Sequence, residues 1–425
     1  MTAAIPTDYA PLTAETLRAR LSGVAAVTDR LGKDTAAWQV REVGDGNLNL
    51  VFIVETPEGA LVVKQALPYV RLVGDSWPLP LKRCFFEYNA LTRQAERDPD
   101  RVPDVHHFDE DQALMVMRFL SPHVILRKSV VAGKKHPDLA NHMGLFLART
   151  LFRGSNLSLP AAQARADLAL FADNVALCGI TEALVFTDPY FEADMNRHTP
   201  GLDTWVSKLR IDRDMRVTAQ EMKHAFVSRG ETMAHGDLHT GSIMVTEDDT
   251  QVIDPEFAVY APFGFDIGML LANFLLGYFA QSGHEATPGA RASYRDWLLN
   301  VTRDTWDVFV TEFTHLWRTE RTGILYSGAL FEDQGDAIGA EQALNRLLSR
   351  IWADTLGFCG VEMHRRILGL AHVEDLESIA DDARRGVAER RALALGRHLA
   401  VNRETIQGMN TVIDLARRIE EEDLS

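Results

Sequence analysis

The sequence predicts an α+β protein with two lobes, a small antiparallel β lobe at residues 1–120 and a large, mainly helical lobe at residues 121–425. Three observations support this fold class. Short runs of alternating apolar residues, separated by Gly- and Pro-containing turns, fill the N-terminal part, and helical periodicity dominates the remainder. A polar loop followed by a short hairpin interrupts the helical part at residues 232–256, and the rest of the chain is organised around it.

Composition and charge narrow the possible partners. The chain has 425 residues, of which 46% are hydrophobic and 24% charged, so it can bury a sizeable core. A formal net charge of −16 argues against nucleic acid and against an anionic membrane as partners. The three cysteines are widely spaced, which favours free thiols in a reducing cytoplasm. The N-terminus lacks the basic and apolar regions of a signal peptide, so we expect a cytoplasmic protein.

The N-terminal lobe is predicted to contain three antiparallel strands, at residues 38–43, 48–54 and 61–64. The turn between the first two contains Gly44, Asp45, Gly46 and Asn47. Glycine allows backbone N–H groups to approach phosphate oxygens closely, so this turn is a candidate nucleotide-phosphate cover. Considered alone, an ordinary hairpin turn explains the same residues, and the features described next favour the phosphate-binding interpretation.

Lys64 ends the third predicted strand in the sequence Val-Val-Lys, the setting of the lysine that meets nucleotide phosphates in kinases. A helix predicted at residues 80–97 carries Glu87, which is placed to pair with Lys64. Solvated side chains are the alternative for both residues. A second hairpin leads to a connector whose backbone groups we expect to meet adenine. The connector comprises Met117, Arg118, Phe119 and Leu120.

The loop and hairpin at residues 232–256 carry three carboxylates. Asp237 lies in the string His-Gly-Asp-Leu-His-Thr-Gly-Ser, and the hairpin ends in Asp-Pro-Glu with Asp254 and Glu256. A hairpin of this size returns the chain to its start, so the three carboxylates are predicted to converge at one mouth. In kinases one carboxylate orients and deprotonates the attacking hydroxyl, and others hold Mg²⁺ across the nucleotide phosphates.

Two kinase signatures, H-R-D-L-x-x-x-N and D-F-G, have their counterparts in these two strings. The alternative is a chance H-G-D loop beside a solvated acidic turn. Order, spacing and strand context together favour phosphoryl transfer.

From residue 121 onward the chain is predicted to be helical. Residues 121–135 form a basic, irregular insert, for which a solvated and mobile loop is the expectation. Helices are predicted at residues 137–151, 161–178, 265–280, 291–318, 340–356, 361–368 and 375–422. Asp266 begins the most apolar of these helices and requires a partner if it is buried. The N–H groups of residues 235–242 are candidate partners, and simple helix capping is the alternative.

Taken together, these residues resemble the S-methyl-5-thioribose kinase family, within the aminoglycoside-phosphotransferase and choline-kinase branch of the protein-kinase-like fold. The resemblance runs from about residue 36 to residue 415, and five segments carry it: residues 44–49, 63–64, 235–242, 254–256 and 364–367. It implies ATP and Mg²⁺, phosphorylation of the anomeric O1 of methylthioribose in methionine salvage, and a homodimer.

The resemblance also implies roles for individual residues. Asp237 would be the catalytic base and contact the substrate, Asp254 and Glu256 would bind metal, and Arg365 and Arg366 would lie in the sugar site. The sequence departs from the protein-kinase pattern at three places. Ser242 replaces the asparagine metal ligand, which leaves the number of metal ions open, Asn49 replaces the third glycine, and Arg118 replaces an acidic connector residue.

The adjacent arginines have a competing interpretation. Met363, Ile367 and Leu370 are predicted to form one buried stripe, and adjacent residues point about 100° apart on a helix. Arg365 and Arg366 therefore cannot both lie on that stripe. The alternative to a sugar site is two solvated arginines, paired with Glu362 or Asp375.

Three functions compete at this level. A sugar kinase is favoured. A kinase of the same fold acting on another small alcohol, such as a 5-deoxyribose-type sugar, an amino alcohol or an aminoglycoside, is the second. Paired arginines repel a cationic substrate and so argue against the amino compounds. The third is a nucleotide-binding scaffold without turnover, and the joint presence of Lys64, Asp237, Asp254 and Glu256 argues against it.

Overall fold

The computed structural model describes residues 6–44, 48–70 and 74–422. The chain divides into two compact units. The first, here called the sheet unit, comprises Met1–His123, Asn174–Leu177 and Gln251–Ala258. The second, the helical unit, comprises Val124–Asp173, Cys178–Thr250 and Val259–Ser425. One unit is built on an antiparallel sheet and the other mainly on helices, so the predicted α+β class is confirmed.

A five-stranded antiparallel sheet forms the sheet unit. Its strands in spatial order are Gln39–Glu42, Asn49–Glu55, Ala60–Ala66, Leu114–Arg118 and Val105–Asp109. A two-stranded ribbon pairs Tyr69–Val70 with Gly74–Pro78. The helices of this part of the chain are Ala14–Leu21, Ala25–Leu31 and Arg83–Arg97, with a 3₁₀ turn at Thr35–Ala37. Alternate residues of the central strands are apolar, and they pack with Trp38 and the first two helices into one core.

Register places Lys64 in the middle of the sheet, paired with Val51 on one side and Met115 on the other. The strand continues to Ala66, two residues beyond the end that the sequence predicts. Lys64 is therefore held by backbone hydrogen bonds on both neighbouring strands, which fixes the position of its side chain.

Helices make up most of the rest of the chain. Their bounds are Leu126–Val131, Leu139–Arg153, Ala161–Ala172, Val175–Leu184, Asp203–Arg210, Arg213–Ser228, Gly264–His284, Ala292–Thr319, Ala337–Leu368, Glu374–Glu377, Asp382–Val401 and Met409–Glu421. Short strands lie at Val124–Ile125, Thr232–Ala234, Ile243–Val245, Thr250–Val252 and Val259–Ala261. The 3₁₀ turns are Asp188–Tyr190, Thr240–Ser242, Gly328–Leu330 and Glu332–Gln334.

The apolar helix Gly264–His284 runs through the core of the helical unit, and nearly all of its residues are buried. It packs closely against Ala337–Leu368 because glycine lies at the contact. A Cβ at Gly268 would stand 2.6 Å from the carbonyl oxygen of Thr355, which no side chain tolerates. Phe265 and Phe358 meet edge to face across the same contact, with ring centroids 5.1 Å apart.

Several predictions about this part of the chain are wrong. The helix predicted at residues 161–178 is two helices, and the one predicted at residues 375–422 is three. Residues 121–135 are not an irregular solvated loop throughout, because residues 124–131 form the strand Val124–Ile125 and the helix Leu126–Val131, whose Leu126 and Val130 are buried. The two helices predicted at residues 340–368 are one helix, Ala337–Leu368. Gly360 lies within this helix at a close contact, since a Cβ there would lie 2.2 Å from the carbonyl oxygen of Gly396.

No single helix among the described residues has the length and apolar composition needed to cross a membrane. The bent pair Ala161–Ala172 and Val175–Tyr190 meets that test only when the two helices are taken together.

Candidate active site

The predicted site residues fall into two groups, one in each compact unit. Lys64, Glu87, Asp254 and Glu256 belong to the sheet unit, and Asp237, Ser242, Arg365 and Arg366 belong to the helical unit. The convergence of Asp237 with the two later carboxylates stays a prediction. We describe each group by itself.

Lys64 forms the centre of the group in the sheet unit. Its ammonium donates to Glu87 at 2.8 Å and also forms an ion pair with Asp254. The predicted pairing of Lys64 with Glu87 is therefore confirmed, and both side chains are buried rather than solvated. Burial alone lowers the pKa of Lys64, but the charges of Asp254, Glu87 and Glu256 outweigh it and raise the pKa, so the ammonium stays charged.

Three carboxylates surround this lysine. One oxygen from each of Glu87, Asp254 and Glu256 lies within 4.8 Å of the other two. Burial raises the pKa of Glu87 and of Glu256, and the carboxylates nearby raise both further. Glu256 also lies 3.5 Å from the guanidinium of Arg83. Three carboxyl groups thus face two bases, and the raised pKa values reflect burial together with repulsion among the ionised forms.

The donor chemistry of this group fits a divalent cation of the Mg²⁺ type. Carboxylate oxygens are the ligands that hard cations prefer, and a bound cation would favour the ionised form of the three carboxyl groups. Asp254 leaves 47% of its side chain exposed, so it can reach a bound ligand. Its backbone has φ of 68°, the left-handed region that non-glycine residues rarely occupy, and such strain concentrates at functional sites.

The Asp-Pro-Glu turn is fixed by amides. The side chain of Asn174 donates to the backbone oxygens of Glu256 at 2.9 Å and of Ala258 at 3.1 Å. Asn49 donates to the carboxylate of Glu256 at 3.4 Å. The residue that replaces the third glycine of the kinase loop therefore has a contact of its own in this group.

The predicted phosphate cover and adenine connector are described only in part. Asp45, Gly46 and Asn47 lie outside the described residues, and Gly44 is exposed. The N–H of Arg118 donates to Asp104, and its side chain donates to Gln251 at 3.0 Å. That N–H is therefore engaged within the sheet unit, and the contact of the connector with adenine stays a prediction for its remaining residues as well. They are Met117, Phe119 and Leu120.

In the helical unit, the loop of residues 235–242 is held at its start by Asp266. The backbone N–H groups of His235 and Gly236 donate to its carboxylate at 2.6 and 3.1 Å. This confirms the prediction that a buried acid at the start of helix Gly264–His284 finds its partners in the loop. The backbone just before Asp237 is thereby tied to the most buried helix of the unit.

The end of the same loop is fixed by His239 and Ser242. The Nδ1 atom of His239 accepts from the N–H groups of Gly241 at 2.9 Å and Ser242 at 3.1 Å. An Nδ1 that accepts carries no proton, so the neutral ring bears its hydrogen on Nε2. The hydroxyl of Ser242 accepts from the N–H of His239 and lies 3.1 Å from the carbonyl of Asp237. Ser242 thus holds the loop, and its role as a metal ligand stays a prediction.

Asp237 is surrounded by donors. The Nε2 of His239 lies 3.3 Å from one carboxylate oxygen, and Arg365 and Arg366 lie 3.5 and 3.3 Å from the other. Burial alone raises the pKa of Asp237, but His239 and the two arginines outweigh it and hold the pKa well below its usual range. Burial lowers the pKa of His239 to about 4. At neutral pH the carboxylate is therefore ionised and the imidazole neutral.

Glu362 supplies a negative charge beside the two arginines. It is fully buried and accepts from Arg365 at 3.1 Å and from the Nε of Arg366. Both arginines are themselves buried, at 8% and 4% exposure, so the solvated interpretation is wrong. Met363 and Ile367 are buried as predicted, but Leu370 lies beyond the helix. The burial is not confined to one stripe, because every residue from Ala353 to Leu368 is buried.

The comparison with known proteins bears on both groups. Residues 39–307 match the model of the phosphotransferase enzyme family. Methylthioribose kinase from Escherichia coli O45:K1 (strain S88 / ExPEC) is 43% identical over 419 residues, which covers 98% of this chain and 100% of that protein. The chain belongs to the methylthioribose kinase family.

The methylthioribose kinase family extends to plants. Methylthioribose kinase 1 from Oryza sativa subsp. japonica is 42% identical over 409 residues, covering 95% of this chain and 94% of that protein. Among solved structures, a glucosamine kinase in complex with glucosamine, ADP and inorganic phosphate has a TM-score of 0.46 and 16% identity, with 90% of this chain and 84% of that chain covered. The predicted resemblance to the methylthioribose kinase family is confirmed.

Proposed function

We propose that the protein transfers the γ-phosphoryl group of ATP to the anomeric O1 hydroxyl of S-methyl-5-thioribose, a step of methionine salvage. The observation that carries the proposal is the environment of Asp237, an ionised carboxylate held by His239 and by two buried arginines. The names and identities of its relatives support the substrate.

Asp237 acts as the catalytic base in this proposal. A carboxylate whose pKa is depressed stays unprotonated at neutral pH and can accept the proton of the attacking hydroxyl. The imidazole of His239 faces the same carboxylate with a neutral N–H, so it orients the base without supplying a competing acid.

Arg365 and Arg366 bind the sugar. Each guanidinium carries five N–H groups, and the contacts with Glu362 and Asp237 use only some of them. The remaining donors are available to sugar hydroxyls and to the charge that develops on the transferred phosphoryl group. Because Glu362 holds both forks from the buried side, the donors are fixed before substrate binds.

The sheet unit binds the nucleotide. Lys64 meets the phosphates, with Glu87 holding its ammonium in place. Asp254 and Glu256 would hold Mg²⁺, with Glu87 in the same group, and a bound Mg²⁺ would neutralise charge on the phosphate oxygens. Residues 44–47, predicted from sequence as a turn, would cover the phosphates, and the connector at residues 117–120 would meet adenine.

The assembly and location are part of the proposal. Four exposed apolar side chains lie close together in sequence, which supports a homodimer: Ile324, Leu325, Leu330 and Ile338. Cys84, Cys178 and Cys359 are free thiols, which supports a cytoplasmic location. The acidic net charge supports a protein without nucleic-acid or membrane partners.

Release of ADP in the presence of ATP, Mg²⁺ and a panel of alcohols tests the proposal. The panel contains methylthioribose, 5-deoxyribose, choline, ethanolamine and an aminoglycoside. We expect kcat/KM to be highest for methylthioribose. A higher value for an amino compound would replace the substrate, and ADP release at the no-acceptor rate with every alcohol would favour a non-catalytic scaffold.

A further inference from the structure

Arg127 is a largely buried cation in the segment that the sequence predicts to be a solvated loop. Its side chain is only 12% exposed. It lies in the first turn of helix Leu126–Val131, where a positive charge gains nothing from the helix dipole. Burying a guanidinium is costly unless each face is satisfied, so this position requires partners from elsewhere in the unit.

Those partners come from three different elements of the helical unit. The Nε of Arg127 lies 3.2 Å from the hydroxyl of Thr240, in the loop that carries Asp237. Nη2 donates to the side-chain oxygen of Asn273 at 2.8 Å, and Nε lies 3.2 Å from Asp375. One planar fork therefore ties the loop to helix Gly264–His284 and to helix Glu374–Glu377.

Asn273 extends this connection to the arginine pair. Its oxygen accepts from Arg127, which leaves its amide hydrogens to donate to Met269 at 2.9 Å and to Glu362 at 3.4 Å. Glu362 in turn holds Arg365 and Arg366, and both of these contact Asp237. Arg127 is thus linked to Asp237 along two routes, through the loop and through Asn273.

The loop packs closely against the guanidinium of Arg127 at Gly241. A Cβ at Gly241 would lie 3.1 Å from Nη1 of Arg127 and 2.8 Å from Cε1 of His239. Only glycine fits between the two side chains without displacing one of them. The loop and Arg127 are therefore packed as one piece.

We propose that Arg127 is a positioning residue for Asp237. It fixes the position of the loop of residues 235–242 relative to Arg365 and Arg366. The inference rests on the proposed function, because it concerns the same carboxylate. The competing role is structural, in which Arg127 does no more than neutralise the buried Asp375. Both roles predict that substitution of Arg127 lowers the stability of the protein. Only the positioning role predicts a loss of kcat that depends on the presence of Asp237.

A double-mutant cycle separates the two roles. We expect Arg127→Met to lower kcat by about ten- to a hundredfold, with the KM for ATP changed less than about twofold. Combined with Asp237→Asn, the same substitution should cost little more, because a residue that acts through Asp237 has nothing left to position. Additive losses would assign Arg127 a structural role and overturn the inference.

Arg295 is a matched control in the same unit. It is 16% exposed and pairs with two carboxylates, Glu285 at 3.2 Å and Glu420 at 3.0 Å. Arg295→Met should lower the melting temperature as Arg127→Met does, with kcat within about twofold of wild type. An equal fall of kcat in the two variants would overturn the inference.

Arg127→Lys keeps the charge beside Asp375 and so protects folding, but it loses the planar fork. We expect a reduced kcat at an unchanged melting temperature, and wild-type kcat in this variant would overturn the inference. The wild-type chain is measured in the same assay. If the wild-type chain does not phosphorylate methylthioribose, the proposed function is overturned. If the wild type is active and the Arg127 variants are equally active, only the inference about Arg127 is overturned.

Discussion

The guanidinium of Arg366 lies 3.3 Å from the carboxylate of Asp237, although 129 residues separate them in the chain. Arg365 contacts the same carboxylate oxygen at 3.5 Å. The candidate base and the candidate sugar-binding arginines are therefore one charged group, and a substitution in one changes the charge felt by the others.

Asp237→Asn keeps the size of the side chain and removes the proton acceptor. Loss of a general base costs about 10² to 10⁴ in rate, so we expect kcat to fall by at least about 10² while ATP still binds. Steady-state kinetics with calorimetric titration of ATP checks both parts. Asp212→Asn is the control, since Asp212 pairs with Arg397 in the same unit. Turnover near the wild-type rate in Asp237→Asn would remove this residue from the mechanism.

Asp254 and Glu256 are expected to contribute unequally to Mg²⁺ binding. Substitution of even an outer partner of a metal site costs about 10–100-fold in affinity, and we expect at least that loss for Asp254→Asn. Glu256→Gln should cost less, because Glu256 also serves Arg83 and Asn49. Binding of Mn²⁺ in the presence of a non-hydrolysable ATP analogue measures this without turnover.

Glu55→Gln is the control for the metal experiment. Glu55 lies in the same unit with 45% of its side chain exposed, against 47% for Asp254. Its substitution should leave Mn²⁺ affinity unchanged. If the double variant Asp254→Asn/Glu256→Gln binds Mn²⁺ with the affinity of the wild type, the metal assignment is contradicted.

Substitution of Arg365 or Arg366 by lysine tests whether the arginine pair binds the sugar. Arg365→Lys or Arg366→Lys retains the charge and loses the fork, so hydrogen bonds to the sugar are lost. A hydrogen bond to a charged donor contributes about 1.5–3 kcal/mol, which corresponds to about ten- to a hundredfold in kcat/KM for methylthioribose. The KM for ATP should change little. Arg229→Lys, which breaks the 2.7 Å contact with Asp354, is the control. Wild-type constants in both lysine variants would leave the pair a purely structural role.

Glu389 predicts a pH dependence of stability away from the site. Its side chain is 1% exposed, and Oε2 has no hydrogen-bond partner among the described residues. Burial raises its pKa from 4.5 to about 7, although Thr199 and Arg385 oppose the shift. Between these values the folded state holds a proton that the unfolded state has lost, so the free energy of unfolding falls as pH rises through this window.

A shift of this extent corresponds to about 3–4 kcal/mol in full, of which about 2–3 kcal/mol is lost between about pH 5 and about pH 8. Glu389→Gln resembles the protonated form and titrates no longer. Urea unfolding at about pH 5 and about pH 8 should show wild type losing stability relative to the variant at the higher pH. If the free energy of unfolding depends on pH in the same way in both proteins, the pKa of Glu389 is not raised.

Features with a local signature could be predicted from sequence. The contact of Lys64 with Glu87 follows from a lysine in a buried strand and a glutamate on the next helix, a spacing that kinases share. The partners of Asp266 follow from a single acid at the start of an apolar helix. In both cases one charged residue in an apolar setting requires a partner, and few candidates lie nearby.

Features that depend on distant compensation could not be predicted. Arg365 and Arg366 look solvated because adjacent arginines are usually exposed, and their burial is possible only with Glu362 and Asp237 on either side. Arg127 was concealed among exposed basic residues, while its partners Thr240 and Asn273 lie more than a hundred residues away. Asn273, a lone amide in the most apolar helix, was the one available signal.

The most direct test of the central claim is the identity of the phosphorylated product. The wild-type chain is incubated with ATP, Mg²⁺ and methylthioribose, and the product is examined by ³¹P NMR with and without proton decoupling. The account predicts a new phosphomonoester signal split by the anomeric proton of the sugar, formed together with ADP and absent with Asp237→Asn. A phosphate signal coupled to any other sugar position, or ADP formed with inorganic phosphate alone, would contradict it.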